Sequence, residues 1–441
     1  MILKAANDVI KNNNSRKGKK LWTENAEGDM PSLYIVSDER EEAQFVADKL
    51  KESNAEGRNW QKHVILYRMN AQSNQFETAF KRIGIPYRVY GGTGFYERAE
   101  IKDMLAYLCI LHNPNDDVRL LRIINNPPRG LGDTTVGRLA YIADDLGISI
   151  FEAIRECHKY ENIKSSAVKL NRFADMINEL RELADSVPLD VLYDVLISRT
   201  GYIRMLEEKK ADENLSRIEN VKELKTNIIG FVNENGGTLF DFLSETALYT
   251  DLDRDDQSTD RVLMMTMHSA KGLEFDTVFI VGAEEGIFPG VRAIGEPDEM
   301  EEERRLCYVA MTRAKRKLYF TSAKRRMLFG KTSAFESSRF IREISSEHIK
   351  RHGTVNDHAG FDFNYKPREI STWRLKQNDH SPALSFSKGD TVEHKAFGRG
   401  IITSVDAAGG DALLEIAFDN TGTKRLMLNS AMRYLSKPEL L

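Results

Sequence analysis

VLMMTMHSAKGLEFDTVFIV, residues 262–281, carries two apolar runs, Val262–Thr266 and Val278–Val281, on either side of a loop of small and polar residues. Such short, nearly continuous apolar runs read as strands buried on both faces of a parallel sheet rather than as helices. Downstream, Glu299–Lys315 passes from acidic to basic along a helical apolar stripe, and Lys317–Thr321 is again strand-like. Upstream the alternation repeats: Ser32–Val36 as strand, Glu39–Glu52 as helix, Val64–Tyr67 as strand, Ser73–Gly84 as helix and Tyr87–Tyr90 as strand. Strands alternating with helices of this length predict an α/β fold built on a mostly parallel sheet.

From about Ile101 to Leu248 the β-branched runs give way to amphipathic patterns such as Leu189–Ser198 and Ser216–Val232. The strands on either side are too few for two stable sheets. One α/β domain, residues 1–100 and 258–345, is therefore expected to be interrupted by an all-helical insert, residues 101–257. Residues 346–385 are polar and lack an apolar period, as a linker would. Residues 386–441 hold short alternating runs at Thr391–His394, Gly400–Val405, Leu413–Phe418 and Lys424–Leu428, which predict a small SH3-like or Tudor-like β-barrel. At the start, Ile2, Leu3, Ala5, Ala6, Val9 and Ile10 already follow helical spacing with no capping residue ahead, so more sequence is expected upstream.

The formal charge of −4 balances 63 basic against 67 acidic residues, so a nucleic-acid surface would have to come from local arrangement. Cys109, Cys157 and Cys307 show neither a disulfide framework nor zinc-ligand spacing, and no metal site is expected. There is no apolar leader and no apolar run long enough to span a bilayer. A reducing cytoplasm is the expected location and no membrane partner is expected.

Arg313 lies seven residues after Leu306, on the stripe defined by Leu306, Val309 and Ala310. An inward guanidinium must meet an anion, either an internal carboxylate or a phosphate across a cleft. In the loop His268–Glu274, Gly272 permits a close backbone approach and Glu274 offers acceptors for a ribose hydroxyl, although an ordinary polar turn reads the same. Arg68 and Asn70 follow an apolar strand at the carboxyl edge of the sheet, where open α/β sheets bind ligands. In the insert, Pro127-Pro128-Arg129-Gly130-Leu131-Gly132-Asp133-Thr134-Thr135 separates two helices, and a capped helix start there offers free N–H groups to a nucleic-acid phosphate. A glycine-capped corner is the plainer reading. Gly330-Lys331-Thr332 copies the end of a phosphate loop, but Arg325 stands where its first glycine belongs, and no G-x-x-x-x-G-K-[ST] occurs in the chain. Gly91–Gly94 reads as a turn, and Lys324-Arg325-Arg326 as a solvated basic face.

The order LYRMNAQSN, GGTGFYERAEIKDMLAYL, PPRGLGDTT, MTMHSAKGLEF, GAEEGIFP and EEERRLCYVAMTRAK resembles the superfamily-1 DNA helicases of the UvrD/Rep/PcrA type, and the terminal barrel is similar to that of its PcrA branch. The resemblance implies a RecA-like second motor domain in a 3′→5′ translocase of DNA repair and replication, with ATP and Mg²⁺ bound between two motor domains. By the same resemblance Gly272, Glu274 and Arg313 contact the nucleotide. Thr266 and His268 link that site to DNA, Arg68 and Asn70 touch single-stranded DNA, and Arg129, Gly130, Gly132 and Thr134 grip duplex DNA. The family's phosphate loop, its Mg²⁺-binding acidic motif and its glutamine-rich motif would all precede residue 1. The chain is therefore expected to be a C-terminal portion, silent as an ATPase by itself. Gly290 also departs from the family, where a histidine often stands near the DNA. The alternative is a non-catalytic module that binds DNA and docks on a partner such as RNA polymerase through the barrel.

Overall fold

The computed structural model describes residues 1–14, 28–208, 212–252, 259–353, 388–394, 398–408, 411–419, 422–427 and 435–436. Two compact units divide the chain, residues 1–358 and 359–441. In the first, the strands in chain order are β1 (Ser32–Val36), β2 (His63–Tyr67), β3 (Tyr87–Val89), β4 (Val262–Thr266), β5 (Phe275–Ile280), β6 (Ala314–Ala323), the hairpin β7 (Arg325–Leu328) and β8 (Lys331–Ala334), and β9 (Lys350–His352). All but the hairpin join one parallel sheet in the order β3-β4-β2-β5-β6-β1-β9. The strands that follow the insert interleave with those that precede it, so neither half makes a sheet without the other. That interleaving is the physical content of a split domain.

Helices α1 (Ile2–Ile10), α2 (Glu39–Ala55) and α3 (Ser73–Ile83) precede the insert, whose helices are α4 (Ala99–His112), α5 (Asp117–Ile123), α6 (Asp133–Leu146), α7 (Ile150–Arg155), α8 (Ala167–Ala184), α9 (Leu189–Thr200), α10 (Tyr202–Glu208), α11 (Asp212–Asn235) and α12 (Leu239–Leu252). After it come α13 (Pro297–Met311) and α14 (Arg339–Arg342). Local chemistry sets several ends. Asp38 accepts the N–H groups of Arg40 and Glu41 ahead of α2, Gly84 closes α3 with a φ of +70°, and Pro297 opens α13 beside Asp298 and Glu299. One face of the sheet packs on α1 and α13 through Leu33, Val278, Leu306 and Ala310, and the other on α2 and α3 through Phe45, Leu50, Phe76 and Phe80. The insert has its own core, which begins at Phe95 and Tyr96, a few residues earlier than the pattern suggested. Strand β9 adds residues 350–352 to the sheet edge, so the stretch expected to be linker starts as structured chain. His348 Nδ1 lies 2.6 Å from Asp8 Oδ2 and pins that stretch to α1. The remaining linker positions, 354–385, lie outside the described residues.

The basic cluster at 324–326 departs from expectation. Arg325 is exposed, but Arg326 is 3% exposed and lies between two fully buried carboxylates. Arg326 donates from Nη2 to Glu42 Oε2 at 2.7 Å and to Glu284 Oε1 at 2.6 Å, and from Nε to Glu284 Oε2 at 2.9 Å. Glu42 Oε1 accepts Gly282 N–H and the Thr321 hydroxyl, and Glu284 Oε1 also accepts Ala323 N–H. Removing the guanidinium strands two buried carboxylates. Arg326→Met is expected to destabilise the sheet domain by about 3–5 kcal/mol, whereas Arg325→Ala should stay within about 0.5 kcal/mol. Denaturant titration of the two variants compares them directly.

The β7–β8 hairpin docks on the insert. Its turn, Phe329 and Gly330, takes positive φ angles of 55° and 74°. Phe329 N–H donates to Glu223 Oε2 at 3.0 Å, and Gly330 N–H to Thr226 Oγ1 at 3.0 Å, both acceptors being on α11. Gly330-Lys331-Thr332 is therefore a hairpin turn and not a phosphate loop. Burial, reinforced by Glu39, pushes Glu223 from an ordinary 4.5 up to about 8, while the Phe329 and Thr226 hydrogen bonds and Arg326 pull the other way. The folded state thus keeps a proton that the unfolded chain releases. The associated stability is full below the ordinary carboxylate range and is lost as pH rises towards about 8. Between about pH 5 and pH 8 the wild type should lose stability relative to Glu223→Gln, which has no proton to release. Melting curves of both proteins across that range test it.

The second unit is an antiparallel sheet of β10 (Thr391–His394), β11 (Gly398–Ala408), β12 (Asp411–Phe418), β13 (Gly422–Met427) and β14 (Leu435–Ser436), in the order β13-β12-β11-β10-β14. Val392, Ile402, Leu414, Ile416 and Phe418 are buried within it. The register shifts between Ile402 and Ser404, a bulge that bends the small sheet.

Candidate functional site

Strands β2 and β4 are neighbours, with Tyr67 opposite Thr266, so the residues that follow each emerge side by side at the carboxyl edge of the sheet. Met267 N–H donates to the Tyr67 carbonyl at 2.9 Å and ties the two exits together. Arg68, Asn70, Thr266 and His268 consequently line one cleft of about 1230 Å³, with Lys222 of α11, Arg292 and Lys331 on its other walls. Arg68 and Asn70, expected at single-stranded DNA, and Thr266 and His268, expected to link the nucleotide site to it, are thus neighbours. Arg98 supports the Asn70 turn, donating to the Asn70 carbonyl at 3.3 Å, to Ser73 Oγ at 2.8 Å and to Asn220 Oδ1 at 2.7 Å, which joins α3 to α11. Thr266 Oγ1 sits 2.9 Å from Ser269 Oγ. Burial and the neighbouring Arg68 hold His268 below its ordinary value, against Glu303 and Glu302, so its ring is neutral near pH 7 and presents one donor and one acceptor.

Arg68 is held on its inner side by Glu303 of α13. Its Nε donates to both carboxylate oxygens at 2.9 and 3.2 Å, and its Nη2 lies 2.8 Å from Oε1. Glu303 Oε2 also accepts Gly290 N–H at 3.1 Å. Gly290 thus meets the Arg68–Glu303 pair through its backbone N–H.

Arg313 and the Gly272–Glu274 loop meet at the other edge of the sheet. Here the expectation needs correcting: α13 ends at Met311, so Arg313 lies beyond the helix rather than on its apolar stripe. Its guanidinium donates to the carbonyls of Val309 and Leu273, both at 3.0 Å, and to Thr312 Oγ1 at 3.1 Å. Among the described residues no carboxylate pairs with Arg313, so the internal salt bridge is not formed and its charge stays uncompensated. Phe275 N–H returns a hydrogen bond to the Arg313 carbonyl at 2.9 Å. Glu274 is exposed and lies 3.3 Å from Lys315 Nζ. Gly272 takes a φ of +84°, which a side chain would strain although nothing crowds it.

In the insert hairpin, Asn125 Oδ1 accepts Arg129 N–H and Leu131 N–H at 2.8 and 3.2 Å and closes the turn. Arg129 corrects its expected role. Its guanidinium points inward, donating to the carbonyl of Ile123 at 2.8 Å and to Tyr107 Oη at 2.7 Å, and it stacks 5.1 Å from the centre of the Phe173 ring. It satisfies helix-end carbonyls and is not presented to a ligand. Gly130 takes a φ of +68° and its carbonyl accepts Lys169 Nζ at 2.9 Å. Gly132 caps α6, with Gly132 and Thr134 exposed. The start of α6 thus presents exposed backbone donors.

Sequence reasoning missed Glu303, Lys222 and Arg292. Glu303 was hidden in an acidic run, although its spacing to Leu306, Cys307 and Ala310 places it on the buried face. The lysine and Arg292 carried no local signal, because only folding brings α11 across the sheet edge. No group of three or more His, Cys, Asp or Glu side chains able to hold a metal ion occurs among the described residues. Nor is any described helix long and apolar enough to cross a membrane.

Residues 1–325 match the sequence profile of the UvrD-like helicase C-terminal domain, and residues 389–431 that of the PcrA/UvrD tudor domain. The chain is 38% identical over 436 residues to the ATP-dependent DNA helicase PcrA of Staphylococcus epidermidis, covering 98% of this chain and 60% of that protein. The PcrA of Bacillus subtilis is 40% identical over 439 residues, covering 97% and 59%. The chain thus spans about three-fifths of the length of these relatives. Strands β1–β6 of the split parallel sheet, the helical insert, the site loops and strands β10–β13 of the small terminal sheet fall within the matched segments, and the chain belongs to the UvrD-like helicase C-terminal domain family.

Proposed function

We propose that this chain supplies one wall of the ATP cleft and part of the DNA path of a 3′→5′ DNA helicase or translocase that acts in DNA repair and replication. The supporting observation is the state of Arg313. A half-buried guanidinium held only by neutral acceptors keeps its full charge, and its partner carbonyl belongs to the Gly272–Glu274 loop. This is a pre-positioned cation for phosphate charge that develops in phosphoryl transfer. Glu274 is the group for a sugar hydroxyl. The phosphate loop would come from another domain, and no group of three His, Cys, Asp or Glu side chains that could hold Mg²⁺ occurs among the described residues.

The two sites lie at opposite edges of one sheet, and α13 and the loop 267–274 run between them. Strand engagement at Arg68, Asn70, Thr266 and His268 therefore has a short, rigid route to Arg313. By itself the chain should show no ATPase activity. Mixed with a separately expressed domain carrying the phosphate loop, it should restore DNA-stimulated hydrolysis, and Arg313→Ala should lower that rate by about a thousand-fold or more. An unchanged rate in Arg313→Ala would overturn the nucleotide role.

The exposed start of α6 favours a separate duplex contact. Backbone N–H groups and the helix dipole there suit a phosphate. Thr134→Glu places a negative charge at that point and should weaken binding to a blunt duplex several-fold while leaving a single-stranded oligonucleotide unaffected, as fluorescence anisotropy would read.

A further inference from the structure

Arg68 is a part-buried cation of the cleft, and the side-on edge of its guanidinium is already filled. A guanidinium grips a phosphate or carboxylate best through two parallel N–H groups. In Arg68 the Nε and Nη2 pair is taken by Glu303, at 2.9, 3.2 and 2.8 Å. Glu303 is only 7% exposed and is anchored by Gly290 N–H at 3.1 Å, so its carboxylate does not swing away freely. Among the described residues Nη1 of Arg68 has no hydrogen-bond partner. With the outer N–H of Nη2 it forms the end-on edge, the one that Glu303 leaves for an incoming anion.

We infer that Glu303 is a positioning residue that restrains the grip of Arg68 on a nucleic-acid strand, leaving it one exposed edge and a neutralised charge. The inference rests on the reading of the cleft as a single-strand path. A strand that must advance through a site benefits from contacts that hold and then release, and a fixed counter-carboxylate supplies the release. A phosphate meeting the Arg68–Glu303 pair displaces fewer counterions than one meeting a free guanidinium. Because Glu303 sits on α13, about 12 Å of helix from its last residue at Met311, the same side chain joins the strand contact to the helix that leads to Arg313.

Glu303→Gln keeps the shape and an acceptor for Gly290 N–H but removes the counter-charge. Binding of a fluorescent single-stranded oligonucleotide to the whole chain, titrated over KCl, is expected to tighten about three- to ten-fold, with the slope of log K against log salt steeper by about 0.7. In an Arg68→Ala background Glu303→Gln should change neither affinity nor slope, which a merely structural role for Glu303 would not produce. Unchanged or weaker binding by Glu303→Gln, with Arg68→Ala still weakening the wild type, overturns the restraint and leaves the cleft reading intact. If Arg68→Ala leaves wild-type binding unaltered, the cleft reading falls and the inference with it. Circular dichroism melts identify a variant that fails to fold, and Glu303→Asp, which keeps the charge on a shorter arm, then takes its place and should not steepen the slope.

Discussion

Arg326 sits where Glu42, Glu284 and the ends of β5 and β6 converge, and the arrangement of the sheet edge depends on that buried triad. Two carboxylates and one guanidinium removed from water carry a large desolvation penalty, offset only when nearly every donor and acceptor is matched. Here Gly282 N–H, Ala323 N–H and the Thr321 hydroxyl complete the match. Segments more than two hundred residues apart in sequence, Glu42 on one side and Glu284 and Arg326 on the other, are thereby locked into a single register. The loop after β5 that carries Gly286 and Gly290 into the cleft starts from this lock, and so does the hairpin that forms the opposite wall.

From that frame follows the separation of the two candidate sites. Parallel strands send all their exits to one edge, so Arg68, Asn70, Thr266 and His268 meet there without any pattern linking them in sequence. The loop after β4 must then return to the other edge before β5 can begin, and the same return brings Glu274 beside Arg313. A connection that crosses the whole sheet in eight residues, Met267–Glu274, has little freedom, and its hydrogen bonds to Tyr67 at one end and to Arg313 at the other take up what remains. This short tether joins the two candidate sites across the sheet.

The helical insert is joined to the sheet by polar contacts at a few points: Arg98 with Asn220 and Ser73, Asn227 with Asn74, and the Phe329–Gly330 turn with Glu223 and Thr226. Its apolar core is separate from the two that flank the sheet. A seam made of hydrogen bonds rather than shared core has a lower barrier to rearrangement than a packed interface. Glu223, whose proton is held by burial at that seam, makes part of the seam sensitive to pH.

Apolar periodicity by itself determined the parallel sheet, the helical insert and the short-stranded terminal sheet, because strand length and helix spacing are local consequences of burial. The motif order singled out loops that the fold brings side by side, with Arg68, Asn70, Thr266 and His268 lining one cleft. What the sequence could not decide was the partner of each charge. Arg326 looked solvated and is buried, Arg129 looked available and is engaged within its hairpin, and Arg313 looked helical yet lies beyond the helix end. A charged side chain takes its role from groups distant in the chain, such as Glu303 for Arg68 and Glu42 for Arg326, and only the tertiary structure brings those groups within hydrogen-bonding distance.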